Sequence, residues 1–170
     1  MNQKFEELYE KYFSRIYFFI FKLCNDSNLA EELTQETFYQ AFTSFHRFKG
    51  ESDIFTWLAA IAKHTYYKYL RKNKMDIDTV SYDLVANVLC TGVFENPEEG
   101  FQKKDTSEKL QKTIKNIPEK YRDVVILRVY AEMSFAQIGQ SLKISENSAK
   151  VIFFRAKKMI MEEFENDYNM

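Results

Sequence analysis

The sequence predicts an all-α protein made of two small helical domains, and three observations support that prediction. Helix breakers are scarce, because only 4 of the 170 residues are Gly and 2 are Pro. Apolar side chains recur every three or four residues through several long segments, as they do on one face of a helix. An acidic, weakly periodic stretch separates these segments into two groups, and 16 Phe with 11 Tyr can fill two small cores.

The first domain is placed at residues 1–74 and is predicted to contain three helices. The first helix covers residues 3–24. The second runs from about residue 28 to about residue 48 and begins with a capping-box pattern. A short loop follows, and Ser52 is then a suitable N-cap for a third helix over residues 53–72.

A linker and a second helical domain complete the predicted organisation. Residues 76–108 hold eight acidic residues and two lysines, and we interpret 75–96 as a flexible linker. The second domain is placed at residues 97–170. Within it, a short helix over 135–142, a tight turn and a longer helix from Ser145 have the spacing of a helix-turn-helix.

Charge and composition restrict the function classes. The net charge is -1, whereas a protein that binds DNA alone is usually strongly basic, so a partner is expected to supply much of any DNA affinity. Cys24 and Cys90 lie far apart, and His46 and His64 have no partners at a motif spacing. No cofactor, metal site or enzymatic activity is therefore predicted. The longest apolar run, residues 16–21, is too short to span a bilayer, so we expect a cytoplasmic protein without membrane insertion.

The last helix carries a polar and basic stripe opposite its apolar face, as a DNA-recognition helix does. The candidate side chains for DNA contact are Ser145, Asn147, Ser148, Lys150, Val151, Arg155 and Lys158. The alternative interpretation is a plain helical hairpin whose basic face is solvated.

The third helix interleaves cations with aromatic side chains. Basic groups hold a nucleic-acid backbone, while aromatic faces stack on unpaired bases, so this pattern is typical of binding to single-stranded or melting DNA. The stripe comprises Lys63, Lys68, Arg71, Lys72 and Lys74, with Tyr66, Tyr67 and Tyr69 between them and Trp57 two turns earlier. The alternative is a solvated Lys-rich face with the tyrosines partly in the core, and a lone Trp is usually a packing residue.

The second helix begins with a cluster of acidic and amide side chains, Glu31, Glu32, Gln35 and Glu36, opposite its aromatic face. Carboxylates repel DNA, so this side is expected to face a protein. The alternative is the ordinary preference of acidic residues for a helix N-terminus.

Taken in order, these segments resemble the extracytoplasmic-function group of RNA polymerase sigma factors. Residues 30–38 (AEELTQETF) resemble the second conserved region of that family, and residues 48–52 (FKGES) with 55–58 (FTWL) resemble its promoter-opening part. The pattern continues through residues 61–64 and 69–72. Residues 117–124, 134–138 and 144–156 resemble the fourth region, which reads the distal promoter element.

The resemblance implies a non-enzymatic protein that directs polymerase to promoters, opens the DNA and initiates transcription. For this group of sigma factors, the genes transcribed are expected to be stress-response genes. It implies as partners promoter DNA and core RNA polymerase, through the clamp helices of the largest subunit and the flap of the second. It also implies an anti-sigma protein, of a kind that is often membrane-bound, and a monomer when free.

The resemblance also assigns roles to particular residues. The positions matching polymerase contacts are Glu32, Gln35, Glu36 and Phe42. Those matching promoter melting and proximal-element binding are Phe48, Lys49, Ser52, Trp57, Lys63, His64, Tyr67, Lys68, Arg71 and Lys72. Lys150, Val151 and Arg155 match the recognition helix. The chain departs from the family pattern at residues 59–60 and at His64, Val151 and Ile152. These departures affect which promoter bases are read, not the assignment to the family.

Two other functions fit parts of the sequence. A stand-alone helix-turn-helix regulator explains residues 134–160 but leaves the loop near Trp57 and the acidic helix without a role. A helical adaptor that binds only proteins does not explain the uninterrupted basic stripe between Lys63 and Lys74.

Overall fold

The computed structural model describes residues 2–75 and 116–168, and every regular element in these ranges is helical. The all-α prediction is thereby confirmed. The elements are α1 (Asn2–Cys24), α2 (Ser27–Ser44), a 3₁₀ helix (Phe45–Arg47), α3 (Ile54–Lys72), α4 (Glu119–Val129), α5 (Phe135–Leu142) and α6 (Glu146–Tyr168). The predicted linker, apart from Met75, and residues 97–115 of the predicted second domain lie outside the described residues.

Helices α1, α2 and α3 pack against one another to form the first unit. The sequence predicts an inward face of Ala30, Leu33, Phe38, Ala41, Phe42 and Phe45. The first four are buried, whereas Phe42 is exposed and Phe45, which lies beyond the end of α2, is only half-buried. Phe38 lies at the centre of an aromatic cluster, where its ring faces Phe5, Tyr9 and Phe13 of α1. Because these rings occupy the inner face of α2, its outer face is available to other molecules.

Aspartates cap the starts of α2 and α3, which corrects the predicted N-caps. Asp26 Oδ1 accepts hydrogen bonds from the backbone N–H groups of Asn28 and Leu29, both at 3.0 Å. Asp53 Oδ1 accepts from the Thr56 N–H at 3.0 Å, so Ser52 lies one residue too early to cap α3. Both aspartates have extended backbone, which directs the carboxylate at the free amides of the first turn.

Helix α2 ends at Ser44, earlier than the predicted end near Phe48. The chain tightens into the 3₁₀ helix, and Phe48 is already extended, with φ of -68° and ψ of 112°. Gly50 has φ of +72°, which side chains disfavour. These turns bring Phe48 back onto Trp57, with ring centroids 5.0 Å apart, so tertiary packing ends the helix.

Helices α4, α5 and α6 form the second unit, in which α6 packs against both α4 and α5. Four consecutive residues of α4, 124–127, are almost completely buried, as expected of a helix enclosed on all sides. Pro118 occupies the N-cap of α4, which ends at Val129. Glu132 turns the chain with φ of 54°.

Helices α5 and α6 form the predicted helix-turn-helix. Ser134 and Gln137 form a capping box at the start of α5, and Ser145 Oγ accepts the Ser148 N–H at 3.0 Å. Lys143 adopts a left-handed conformation at the end of α5, with φ of 57°. Gly139 lies directly under the turn, because a Cβ there would come within 2.7 Å of the Ile144 carbonyl oxygen.

The two small residues of α5 differ in their surroundings. Gly139 is buried at the crossing of α5 and α6, whereas Ala136 is exposed and does not line it. The predicted buried face of α6 is confirmed, since Ala149, Phe153, Ala156 and Ile160 are all buried. The opposite stripe of α6 is therefore directed outward.

The two units touch each other through α3 and α5. The side chain of Gln137 donates a hydrogen bond to Asp53, and Lys63 forms an ion pair with Asp123. The contact places the second unit beside the predicted DNA-binding helix of the first.

Candidate nucleic-acid and protein interfaces

An acidic and aromatic surface covers the outer face of α2. The predicted side chains Glu32, Gln35 and Glu36 are all exposed, and Glu36 accepts a hydrogen bond from Gln40 at 2.7 Å. Thr34 and Thr37 are buried on the other side of the helix, where their hydroxyls donate to backbone carbonyls four residues earlier. The helix thus keeps its carboxylates on the solvent side.

Two large aromatic residues extend this acidic surface. Phe42 is 50% exposed, as its predicted role requires, and its inner edge contacts Phe5 with ring centroids 5.1 Å apart. Tyr39, which the sequence analysis missed, is 62% exposed. It follows Glu36 by three residues and Gln35 by four, a spacing that places it on the same outer face of α2 and could have identified it as part of this surface. Exposed aromatic rings beside charged groups are typical of protein interfaces.

The loop between α2 and α3 closes over an aromatic cluster of Phe45, Phe48 and Trp57. Phe48 lies parallel to Phe45, with ring centroids 6.4 Å apart, and Trp57 contacts both rings. All three rings are only partly buried, so they combine packing with an accessible apolar surface. Lys49 is exposed and Ser52 half-buried at the rim.

Asp53 anchors the end of this loop. Its Oδ2 accepts hydrogen bonds from the Thr56 hydroxyl at 2.7 Å and from the Gln137 side chain at 3.1 Å. Partial burial acts to raise the pKa of the Asp53 carboxyl, but the hydrogen bonds from Thr56, Gln137 and the Phe55 amide outweigh it and leave the pKa below its ordinary value. An ionised Asp53 therefore holds the loop, α3 and α5 together.

The basic stripe of α3 divides into an open part and a covered part. His64, Lys68, Arg71 and Lys72 are exposed. Lys63 is covered: its ammonium lies 3.2 Å from Asp123 Oδ2, and the side chains are only 13% and 16% exposed. Tyr67 is half-buried and donates to Asp123 Oδ1 at 3.3 Å. The basic stripe is therefore not open at these two residues, because α4 supplies a carboxylate across the unit boundary.

The tyrosines of α3 have different roles. Tyr66 is buried, and its hydroxyl donates to the Leu23 carbonyl at 3.4 Å, so it belongs to the core of the first unit. Tyr67 and Tyr69 are half-buried and keep part of their rings at the surface. Of the three predicted tyrosines, only these two could reach a nucleic acid.

The outward stripe of α6 contains the predicted recognition residues. Asn147, Ser148, Lys150, Val151, Arg155 and Lys158 are exposed, and Ser145 is exposed at the N-cap. Lys150 and Lys158 pair within the helix with Glu146 and Glu162 at 3.6 and 3.7 Å, and such exposed pairs are weak enough to exchange for phosphates.

Phe154 belongs to the same stripe although the sequence analysis did not select it. It is 57% exposed and lies between Phe153, with ring centroids 5.7 Å apart, and Phe135, at 6.4 Å. Phenylalanine side chains are ordinarily assigned to the core, and here Phe153 takes the core position. Phe154, the next residue, is therefore left outside.

Other chemistry receives no support from the described residues. Within residues 2–75 and 116–168, no three His, Cys, Asp or Glu side chains gather as a possible metal site. Burial raises the pKa of the half-buried Cys24 thiol, which keeps it protonated near neutral pH. In the described ranges, no helix is both long and apolar enough to cross a membrane.

Two family models match the chain along its length. The model for sigma-70 region 2 matches residues 8–75, and the model for sigma-70 region 4 matches residues 107–160. The first match covers the acidic surface, the loop and α3, and the second covers the helix-turn-helix. The chain therefore belongs to the sigma-70 family of RNA polymerase sigma factors, which are transcription initiation factors and not enzymes.

Curated relatives place it in the extracytoplasmic-function (ECF) group of that family. It is 28% identical over 155 residues to the ECF RNA polymerase sigma factor SigM of Bacillus subtilis, covering 91% of each chain. It is 25% identical over 166 residues to SigW of the same organism, covering 94% of this chain and 88% of SigW. The group named by the sequence resemblance is confirmed.

Solved structures share the fold. The sigma factor RpoE in complex with the anti-sigma factor NepR from Bartonella quintana matches with a TM-score of 0.57 at 18% identity, covering 96% of this chain and 98% of RpoE. CnrH in complex with the cytosolic domain of CnrY matches with a TM-score of 0.58 at 15% identity, covering 98% and 91%.

Proposed function

We infer that this sigma factor divides its work among three surfaces on two domains. The domains comprise residues 1–74 and 97–170, and residues 75–96 link them. The observation that carries the proposal is the separation of charge on the first domain: carboxylates cover the outer face of α2, while cations cover the exposed part of α3. One surface suits a protein and the other suits a nucleic acid.

The surface of α2 docks on core RNA polymerase, at the clamp helices of the largest subunit. Glu32, Gln35 and Glu36 supply polar contacts, while Tyr39 and Phe42 supply apolar area beside them. Because the two rings are already exposed and Phe42 is held from beneath by Phe5, little ordering accompanies docking. The second domain contacts the flap of the second subunit.

The loop and α3 open the promoter and hold its proximal element. Phe48, Ser52 and Trp57 form a partly open aromatic site for a flipped base. Lys49 lies beside this site in the loop, and His64 lies two helical turns after Trp57 on α3. Extrusion of a base costs a few kcal/mol, which stacking must offset. The adjacent backbone is held by Lys63, Tyr67, Lys68, Arg71 and Lys72.

Helix α6 reads the distal element in the major groove. Asn147, Ser148 and Val151 lie in its first turns, where base edges are reached, and the lysines contact phosphates. Arg155 and Phe154 continue the stripe, with the ring suited to apolar contact with a thymine methyl group.

Regulation follows from the exposure of the α2 surface, of the α6 stripe and of the open part of α3. An anti-sigma protein that covers them, of a membrane-bound kind or otherwise, would hold the sigma factor inactive in the cytoplasm. In support, RpoE was solved with an anti-sigma factor, and CnrH with the cytosolic domain of CnrY. We propose that the free chain is a monomer and that its release activates stress-response genes.

Gel filtration with bacterial core RNA polymerase tests the docking surface. The wild-type chain should co-elute stoichiometrically, and Glu36→Lys should weaken binding by about 10- to 100-fold, because the new cation and the loss of a carboxylate oppose the partner surface. The matched control is Glu163→Lys, an equal charge reversal at an exposed position on α6, which should bind normally.

Two results would overturn the proposal in different ways. Normal binding by a folded Glu36→Lys variant would remove the docking role of α2. If the folded wild-type chain eluted apart from polymerase, the polymerase contact itself would be wrong.

A further inference from the structure

An exposed apolar strip interrupts the polar stripe of α6. Phe154 is 57% exposed and Val151 is 41% exposed, and residues three apart are neighbours on a helix surface. Lys150 and Lys158 lie four residues before and four residues after Phe154, so a cation stands at each end of the strip. In the major groove, the apolar group on a base edge is the C5 methyl of thymine. An apolar strip between two cations therefore suits a thymine beside two phosphates.

Two further aromatic rings hold Phe154 from its inner side. Phe135, the half-buried first residue of α5, has its ring centroid 6.4 Å from that of Phe154 and 5.6 Å from that of Phe153. The buried Phe153 meets Phe154 edge to face, with centroids 5.7 Å apart and ring planes at 75°. Such contacts prefer particular ring orientations, so Phe154 is oriented before DNA binds.

Arg128 of α4 supports Phe135 in turn. The guanidinium carbon lies 4.4 Å from the centroid of the Phe135 ring, which is a cation–π contact. Its Nη1 donates a hydrogen bond to the Met133 carbonyl at 2.7 Å, and Met133 is completely buried. The guanidinium is thereby fixed to the turn before α5. A continuous set of contacts therefore runs from α4 through α5 to the exposed ring on α6.

We propose that Phe154, with Val151 beside it, selects a thymine in the distal promoter element through the thymine methyl group, and that Phe135 and Arg128 are the positioning residues for Phe154. This inference rests on the proposed function of α6 and adds to it the base that is chosen and the side chains that orient the contact. A ring that is already oriented loses little freedom on binding, so more of the contact with the methyl group contributes to selectivity.

Replacement of thymine by uracil tests the contact, because uracil lacks only the methyl group. Holoenzyme made from the full-length chain and core polymerase first selects its distal element from promoters randomised at that element, and each thymine of the selected element is then replaced in turn. The wild type should bind one uracil promoter about fourfold more weakly, as expected for one methyl group removed from an apolar contact. Phe154→Ala should bind the thymine and uracil promoters almost equally. Met159→Ala, which removes another exposed apolar side chain about 140° away around α6, should keep the wild-type ratio.

The positioning residues are tested by the same ratio of affinities. Phe135→Leu and Arg128→Lys, which leave the net charge unchanged, should lower it from about fourfold to below about twofold, because Phe154 loses its fixed orientation. Phe135→Tyr keeps the ring and should restore it. The ratio is measured within each variant, so a partial loss of folding would weaken binding to both promoters equally and would leave it unchanged. Thermal unfolding measures that loss separately.

Three results would contradict these roles at different levels. If the holoenzyme selects a distal element but no uracil replacement changes its affinity, or if that element contains no A·T pair, methyl recognition is wrong and the proposed function of α6 stands. If Phe154→Ala removes the preference for thymine while Phe135→Leu and Arg128→Lys retain it, the positioning role is wrong. If polymerase carrying the folded chain selects no distal element at all, the proposed function of α6 fails, and this inference fails with it.

Discussion

At the scale of single residues, the side chains proposed for function also have structural roles. Trp57 is the clearest case, because a lone Trp is usually a packing residue and yet its position matches the promoter-opening part of the family. Its ring contacts Phe48 and Phe45, with centroids 5.0 and 6.2 Å away, and it remains only half-buried. One part of the side chain therefore packs, and the other part is accessible for the proposed contact with a base.

Replacement of Trp57 separates these two roles. Trp57→Ala should lower the free energy of unfolding by about 2 kcal/mol, less than the ~3–5 kcal/mol for a fully buried aromatic residue. It should also slow promoter opening by more than the loss of stability explains, since base stacking contributes about 1–3 kcal/mol. Denaturant unfolding measures the first effect, and 2-aminopurine fluorescence of a promoter with the holoenzyme measures the second. Trp57→Phe, which keeps an aromatic ring, is the matched control. Opening at the wild-type rate with Trp57→Ala would assign Trp57 to packing alone.

At the scale of elements, close backbone approach rather than side-chain chemistry sets the helix-turn-helix. The end of α5 is closed by the Ile144 N–H, which donates to the Gly139 carbonyl at 2.9 Å, and by the left-handed Lys143. The same Gly139 leaves room for the Ile144 carbonyl and the start of α6. The angle between α5 and the recognition helix therefore depends on one absent methyl group.

The corresponding test is Gly139→Ala. Although Ala is the better helix former, the added Cβ would meet backbone atoms that cannot rotate away, so we expect a loss of about 1–3 kcal/mol in the free energy of unfolding. Gln140→Ala, an exposed neighbour on the same helix, should change it by no more than ~0.5 kcal/mol. Thermal and denaturant unfolding compare the two. A stabilised Gly139→Ala protein would show that the two helices can separate without cost.

At the scale of the whole molecule, a net charge of -1 becomes understandable for a protein that binds DNA. In the proposed function, two surfaces of modest affinity act together once polymerase holds them, because the second contact is then intramolecular. The same near-neutral charge allows α4 to present a carboxylate to α3 within the chain. A strongly basic protein would bind DNA alone and would not need polymerase to hold it on the DNA.

The junction of the two units should respond to acid. The pKa of Asp53 is lower in the folded chain, so its contribution to stability is complete above the ordinary pKa of about 3.9 and is lost as the pH falls through the lower folded value. Asp53→Asn cannot titrate. We expect the Tm difference between wild type and Asp53→Asn to be constant from about pH 5 to 8 and to shrink below about pH 4. A difference that stays constant down to pH 3 would contradict an ionised anchor.

Much of the fold could be predicted because helical periodicity and capping are local properties. The buried faces of α2 and α6, the Ser134 capping box and the helix-turn-helix spacing all follow from residues within a few positions of each other. The helix starts were less accurate, since Ser52 and Asp53 are both good caps and only the backbone geometry selects between them. The exposed Tyr39 and Phe154 were missed because aromatic residues ordinarily pack inside.

By itself, then, the sequence determined the fold class and the family, and it predicted the three surfaces, since each depends on spacing along one helix or on motif order. Only the tertiary structure decided that Lys63 and Tyr67 face Asp123, and that Gln137 reaches Asp53, 84 residues away. The physical reason is that periodicity specifies which side of a helix is buried or charged, but it contains no information about which distant group will lie against that side.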